Sequence, residues 1–234
     1  MKIVNPSYQI ESAANYSEII NHIERAARTC YKSESADTFE SKEKFVRNLI
    51  KRGHVSTIEH FSLSVRFICD RGVSHEIVRH RLCAFSQEST RFCDYEGGVS
   101  FILPSWLHLG GINPGEYIIK WDGLYGEIDT YNGGSSWVFT DDKASLIWFW
   151  NMAIAERDYQ KLLKNGWPPQ QSRSVLPNSL KTELVLTANI REWRHILNMR
   201  AVGVAGKPHP QMLQLMVPLL DEFKLKLPAF FADL

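Results

Sequence analysis

Hydrophobic positions recur along this chain with two different periods, and the switches between them divide it into elements. Ile19, Ile20, Ile23 and Ala27 follow Ser17, a capping side chain, at helical spacing and predict a first amphipathic helix. Asp37 followed by Glu40 has the form of a capping box. Phe45, Val46, Leu49 and Ile50 then line one face of a second helix, which Gly53 stops. The period changes to two where Phe61, Leu63, Val65 and Phe67 alternate with Ser62, Ser64 and Arg66, so a half-buried strand is expected. Val73, Ile77, Val78 and Leu82 return to helical spacing across 73–85. From about Asp94 to Thr140, glycine pairs at Gly97–Gly98, Gly110–Gly111 and Gly133–Gly134 interrupt short aromatic segments and predict short strands and loops. Asp141 or Asp142 can cap a third helix through Trp148, Met152, Ala155, Tyr159 and Leu162. Lys161 and Lys164 suit its negative end, and Gly166, Pro168 and Pro169 close it. Leu184 to Thr187 predicts a further strand, and two helices follow near 190–200 and 209–226, the second interrupted by Pro218. Strands and helices mix without a βαβ rhythm, so the expected class is α+β. No linker or repeat divides the chain, which reads as one domain over 1–234 with an extended Gly- and Trp-rich insertion near 94–140.

Composition narrows the function classes. With 44% hydrophobic and 23% charged residues, the 234-residue chain can bury a sizeable core and is not a disordered segment. A net charge of +1 gives no global attraction to nucleic acid or to an acidic membrane. The longest apolar run, Leu146 to Trp150, is far short of a membrane span, and the first residues lack an apolar export core. Cys30, Cys69, Cys83 and Cys93 are irregularly spaced with no CxxC, which fits reduced thiols in a cytoplasmic protein.

Charge is nevertheless concentrated in two windows. Residues 71–91 carry Arg71, Arg79, Arg81 and Arg91 against Glu76 and Glu88; residues 189–209 carry Arg191, Arg194, Arg200 and Lys207 against Glu192, with His195 and His209. Arginine binds phosphate bidentately and stays charged, so windows this short suit a small phosphorylated ligand better than a long polyanion. Arg79, His80 and Arg81 are consecutive; on a helix they would point about 100° apart, a splay that serves several ligands or neighbouring subunits.

These residues resemble a known family. Arg79-His80-Arg81 followed by seven residues and Ser89 matches the RHR-x7-S signature of the flavin-dependent thymidylate synthases. GHVSTIEH (Gly53 to His60), SRSVLPNSL (Ser172 to Leu180) and NIREWRHILNMR (Asn189 to Arg200) resemble further motifs of that family, in the same order. The resemblance implies a mixed, mainly antiparallel sheet with long flanking helices, in a homotetramer whose sites are shared between subunits. It implies methylation of dUMP to dTMP, with methylenetetrahydrofolate as carbon donor, FAD as hydride carrier and NADPH as reductant.

Roles follow from the same match. Arg200 is the expected catalytic residue: it would contact the uracil edge and favour the N3-deprotonated ring, whose C5 is then the nucleophile, so that no enzyme cysteine is required. Ser89, at the signature serine, is assigned to hydrogen-bonding dUMP. Glu76, Arg79, Gln87, Glu88, Thr90, Arg91 and Arg173 complete the expected substrate set, with Arg91 and Arg173 as phosphate ligands. For FAD the matching positions are His54, Ser56, Glu59, Arg79, His80, Arg81, Gln87, Asn189, Ile190, Arg191 and His195. No GxGxxG follows a strand, so cationic side chains would replace a dinucleotide-binding glycine loop. Cys83 and Cys93 read as structural thiols.

Three positions depart from the family pattern: Glu76 is acidic where many members have an amide, His195 stands where some have Asn, and AVGVAGKPHPQ after Arg200 lengthens a compact segment, displacing the family histidine to His209. Two other readings are weaker. His75 and His80 are five apart and so about 140° apart on a helix, which rules out the zincin arrangement. A non-catalytic nucleotide- or RNA-binding module would use the same basic windows, but the overall charge argues against long nucleic acids.

Overall fold

The computed structural model describes residues 1–12, 15–30, 32–35, 38–107, 112, 114–121, 126–130 and 142–234. In chain order its elements are strands β1 (Lys2–Val4) and β2 (Ser7–Ile10), helices α1 (Tyr16–Thr29) and α2 (Phe39–Lys51), and a 3-10 helix at Val55–His60. There follow β3 (Ser62–Asp70), α3 (Arg71–Ile77), β4 (Ala84–Gln87), β5 (Ser100–Ile102), β6 (Gly115–Trp121) and β7 (Gly126–Thr130). The remainder is α4 (Lys143–Lys164), α5 (Pro169–Ser172), a 3-10 turn at Arg173–Val175, β8 (Lys181–Asn189), α6 (Ile190–Leu197), a π-helical turn at Asn198–Val202, α7 (Pro210–Lys226) and α8 (Pro228–Phe231). The class is α+β, as the patterning predicts. Among the described residues the strands form two sheets, ordered β5-β1-β6-β7 and β2-β3-β8-β4. In the first, β1 runs parallel to β5 and antiparallel to β6, and β6 and β7 are antiparallel.

Local chemistry sets most helix ends. Asn15, not Ser17, caps α1: its Oδ1 accepts from Glu18 N at 2.9 Å and the Glu18 carboxylate reaches back to Asn15 N, a complete capping box, while Ser17 donates to the same Oδ1. Thr38 caps α2, accepting from Ser41 N; the expected cap Asp37 lies outside the described residues. At its other end Gly53 takes φ +77°, its N–H donating to Ile50 O and His54 N–H to Leu49 O, each at 2.9 Å. This pair of reversed bonds needs a left-handed residue, which glycine adopts without a Cβ clash. Asp142 caps α4; Asp141 lies outside the described residues.

The chain divides into two compact units. One comprises Met1–Ser7, Ile68–Ile77 and Gln87–Leu184. Its core packs Val99, Phe101, Met152, Ala155, Tyr159 and Leu180, beside a smaller group of Ile3, Ile112, Tyr117 and Phe149 that Trp148 and Trp150 partly cover. The other comprises Tyr8–Phe67, Val78–Ser86 and Val185–Leu234. Trp193 is at its centre, fully buried, its indole N–H donating to Leu63 O at 3.0 Å and its ring edge-on to Phe223 at 5.5 Å. The β3 alternation holds, with Leu63, Val65, Phe67 and Cys69 buried, and β8 buries Thr182, Leu184, Leu186 and Ala188.

Two elements depart from expectation. The helix expected over 73–85 ends at Ile77, and Arg79-His80-Arg81 lies on the turn that follows. The chain turns there because Ala84–Gln87 is taken up as a strand beside β8; Leu82, expected on the buried helix face, is 78% exposed. Conversely, Pro218 does not interrupt α7, which runs unbroken from Pro210 to Lys226. Pro218 and Gln214 both face solvent, so the carbonyl that loses its helical donor can turn to water. No helix among the described residues is long and apolar enough to cross a membrane.

Candidate functional site

Most of the motif residues gather in two groups, one in each unit. The first is built around the end of β8. Asn189 Oδ1 accepts from Glu192 N at 2.8 Å and so starts α6, which carries Arg191, Glu192 and His195 into the π-helical turn that carries Arg200. The turn is closed by Gly203 at φ +81°, whose N–H donates five residues back to Asn198 O at 2.9 Å. Such a wide turn re-aims the side chains on it relative to α-helical spacing and is a common feature of functional sites.

Arg200 Nε donates to His80 Nε2 at 3.1 Å, joining motifs 120 residues apart. Since Nε2 accepts, the imidazole carries its proton on Nδ1, 3.9 Å from Glu192 Oε1. His80 is buried, and its pKa is lowered to about 4, first by burial and then by the neighbouring Arg200 and His195. Burial raises the pKa of Glu192 and outweighs His195 and Arg191, which act the other way. The His195 ring stands edge-on to His80 at 5.8 Å. The ligand atoms of His80, Glu192 and His195 lie within 4.8 Å of one another, a spacing a cation could use. Arg200 places a permanent positive charge on this cluster and occupies one His80 lone pair, so the group is better matched to a polar organic ligand than to a metal.

Beside the cluster opens a recess of about 540 Å³ lined by Glu59, Leu82, Asn189, Arg191, Glu192 and His195. Arg191 Nη1 donates to Glu59 Oε1 at 2.5 Å across an exposed pair. Arg79 and Arg81 flank buried His80 and are themselves exposed, with no ion pair among the described residues. The three residues lie on a turn instead of the expected helix, with His80 buried and its two neighbours exposed. With Leu82 as its apolar side, Asn189, Glu59 and Glu192 as polar groups and Arg191 as a guanidinium, the recess suits a polar organic ligand. His54 and Ser56 are exposed at the start of the 3-10 helix that carries Glu59. The Ile190 side chain is fully buried and its N–H donates to Phe61 O, so a ligand would meet its backbone and not its side chain.

The second group lies in the other unit, where β4 runs into the signature loop. Gln87 Nε2 donates to Ser74 Oγ at 2.9 Å and to Thr182 Oγ1 at 3.2 Å. Ser89 folds the loop back on itself: its Oγ accepts from Arg91 N, and its carbonyl from Phe92 N and Cys93 N. Among the described residues no imidazole or carboxylate bonds Ser89 Oγ. Buried Thr90 accepts from Arg173 Nη1 at 2.9 Å, and Arg91 donates to Gln170 Oε1 and lies over the Phe92 ring. Ser89, Thr90, Arg91 and Arg173 are thus brought together. Glu76, at the end of α3, is half-buried.

Two basic-window residues make bonds that hold local structure. Arg194 makes a two-bond ion pair with Asp233 and also donates to Phe230 O. His209 caps α7 through Nδ1, which accepts from Gln211 N at 3.3 Å. Residues the motifs did not single out also enter the groups. Glu192 reads locally as an ordinary acid in a helix's first turn, and only its burial against His80 reveals more. Tyr95 and Lys181, both bonded to Glu88, have no local signal at all.

The fold is shared with the solved structure described as the UMP/dUMP methylase PolB from Streptomyces cacaoi bound with 5-Br dUMP, which matches 99% of this chain and 96% of its own, with a TM-score of 0.72 and 22% identity. The family model described as thymidylate synthase complementing protein, Thy1, matches residues 14–229. A flavin-dependent thymidylate synthase of Mycobacterium sp. (strain JLS) is 31% identical over 90% of this chain and 78% of its own length, and one of Corynebacterium diphtheriae is 27% identical over 97% and 82%. The chain belongs to this family, the flavin-dependent thymidylate synthases, and is an enzyme of the methyltransferase class.

Proposed function

We propose that this enzyme methylates dUMP to dTMP using methylenetetrahydrofolate, FAD and NADPH, as a cytoplasmic homotetramer and without a cysteine nucleophile. The observation that carries the reading is the hydrogen bond from Arg200 to buried, neutral His80 beside the Arg191–Glu59 recess. The bond constrains a permanently charged guanidinium. Held at the uracil edge, Arg200 stabilises the anion left when N3 loses its proton; the charge spreads into the ring and makes C5 the nucleophile. Ser89 donates to the nucleotide, and Arg91 and Arg173 neutralise its phosphate.

Glu59, Asn189, Arg191 and His195 line the recess and offer FAD polar contacts; His54, Ser56 and His80 are assigned to the same cofactor, and the exposed Arg79 and Arg81 suit its pyrophosphate. When bound, FAD supplies hydride transfer. A thiol is not needed, and burial, then Glu192, pushes the Cys83 pKa up to about 12, which keeps that sulfur protonated and weakly nucleophilic. The test is a visible spectrum of the protein with FAD, before and after dUMP, followed by assay of dTMP. Bound flavin whose spectrum shifts with dUMP, and turnover, would support the reading. Folded protein that retains no flavin would overturn it and favour a nucleotide-binding module.

A further inference from the structure

Glu88, in the signature loop, has every polar group engaged within its own unit. Its N–H donates to Glu183 O at 2.9 Å, and its carbonyl accepts from Arg71 Nη1 at 3.4 Å. Of its carboxylate oxygens, Oε1 accepts from Tyr95 Oη at 2.7 Å and Oε2 from Lys181 Nζ at 3.2 Å. Lys181 is in turn held by Glu183 Oε1 at 2.7 Å. Glu88 and Lys181 are shielded, with side chains 17% and 21% exposed, so this is not a solvated surface pair of little consequence. Both donors keep their protons. Burial acts against the Lys181 ammonium but Glu183 and Glu88 outweigh it, raising its pKa, and burial and then Glu88 raise that of Tyr95.

The next residue is Ser89, and the loop through Arg91 hangs from this fixed point. A carboxylate already met by a phenol and an ammonium is poorly placed to contact substrate as well, which alters the role expected for Glu88. We propose that Glu88 is a positioning residue, and that Tyr95 from the Gly-rich stretch and Lys181 from β8 clamp it so that Ser89, Thr90 and Arg91 are preorganised for the nucleotide phosphate. Preorganisation of this kind raises affinity because the loop is not ordered anew on binding.

The inference rests on the proposed dUMP chemistry, and the experiment separates the two. dUMP binding to the FAD-loaded enzyme is measured by calorimetry, and kcat and KM by dTMP formation, for wild type, Tyr95→Phe, Lys181→Met, Glu88→Ala and Glu88→Ala/Lys181→Met. Tyr95→Phe and Lys181→Met are expected each to weaken dUMP binding about tenfold, the scale of one charge-assisted hydrogen bond, with kcat within about twofold and FAD affinity unchanged. The double variant should be no weaker than Glu88→Ala alone, because Lys181 acts only through Glu88. If Glu88→Ala weakens dUMP while Lys181→Met and Tyr95→Phe bind like wild type, Glu88 touches the substrate directly and the clamp is refuted. Equal losses of FAD and dUMP affinity would refute it too, by showing general structural damage; Lys181→Gln serves if the Met variant does not fold. Wild-type enzyme that binds no dUMP would instead overturn the proposed function.

Discussion

Replacing His80 with Gln tests whether this imidazole is held neutral by its surroundings. His80 is 8% exposed, receives a hydrogen bond from Arg200 Nε, and faces His195 and Glu192. Burial, then Arg200 and His195, lower its pKa from 6.5 to about 4. Between those values the unfolded chain binds a proton that the native state refuses, so stability rises with pH across the window. At about 1.4 kcal/mol per pH unit, the displacement corresponds to on the order of 3 kcal/mol, absent above pH 6.5 and complete near pH 4. Gln at this position cannot protonate, but its amide oxygen can still accept from Arg200. Urea unfolding of both proteins, followed by tryptophan fluorescence between pH 7.5 and 4.5, isolates the effect as a difference. Glu192, with a raised pKa, contributes the opposite slope and does so in both. The wild type should lose stability progressively relative to His80→Gln as pH falls below about 6.5. Parallel curves would show that His80 is not held neutral and would remove the basis for its role as the Arg200 acceptor.

Arg200→Ala should leave FAD bound, seen in the flavin spectrum, while abolishing dTMP formation; near-normal turnover would sink its assigned role. Cys83→Ala should retain activity, because the half-buried thiol, with a pKa pushed up to about 12, is protonated at working pH, and complete loss would reopen thiol chemistry. Gly203→Ala should destabilise the protein by about 2 kcal/mol in urea unfolding, since alanine is strained at φ +81° and its Cβ would lie 3.0 Å from Gly206 O and Pro208 Cδ. Asn189→Ala should cost about 1 kcal/mol as a lost helix cap and also weaken FAD, whereas loss of stability alone would remove it from the flavin set.

The sequence by itself determined whatever depends on neighbours along the chain. The left-handed stop at Gly53, the Asp142 cap, the alternation in β3 and the stripe on α4 were all legible, because capping and amphipathic periodicity act over a few residues. The signature from Arg79 to Ser89 was legible for the same reason, and with it the family. The three-residue β1 was not, since it is too short to show a period and gains its place only by pairing with β5 and β6. Nor was the end of α3 at Ile77: the spacing of Val78 and Leu82 continues a helix, but strand pairing of Ala84–Gln87 draws the chain away. Tertiary structure alone decided which charges are available for chemistry. Arg194 and Arg200 look equivalent six residues apart, yet Asp233 takes the first, while the second reaches His80 from a π-helical turn. The physical reason is that hydrogen bonds and burial between residues far apart in sequence leave no trace in local pattern, and they set the protonation of His80 and the direction of Arg200.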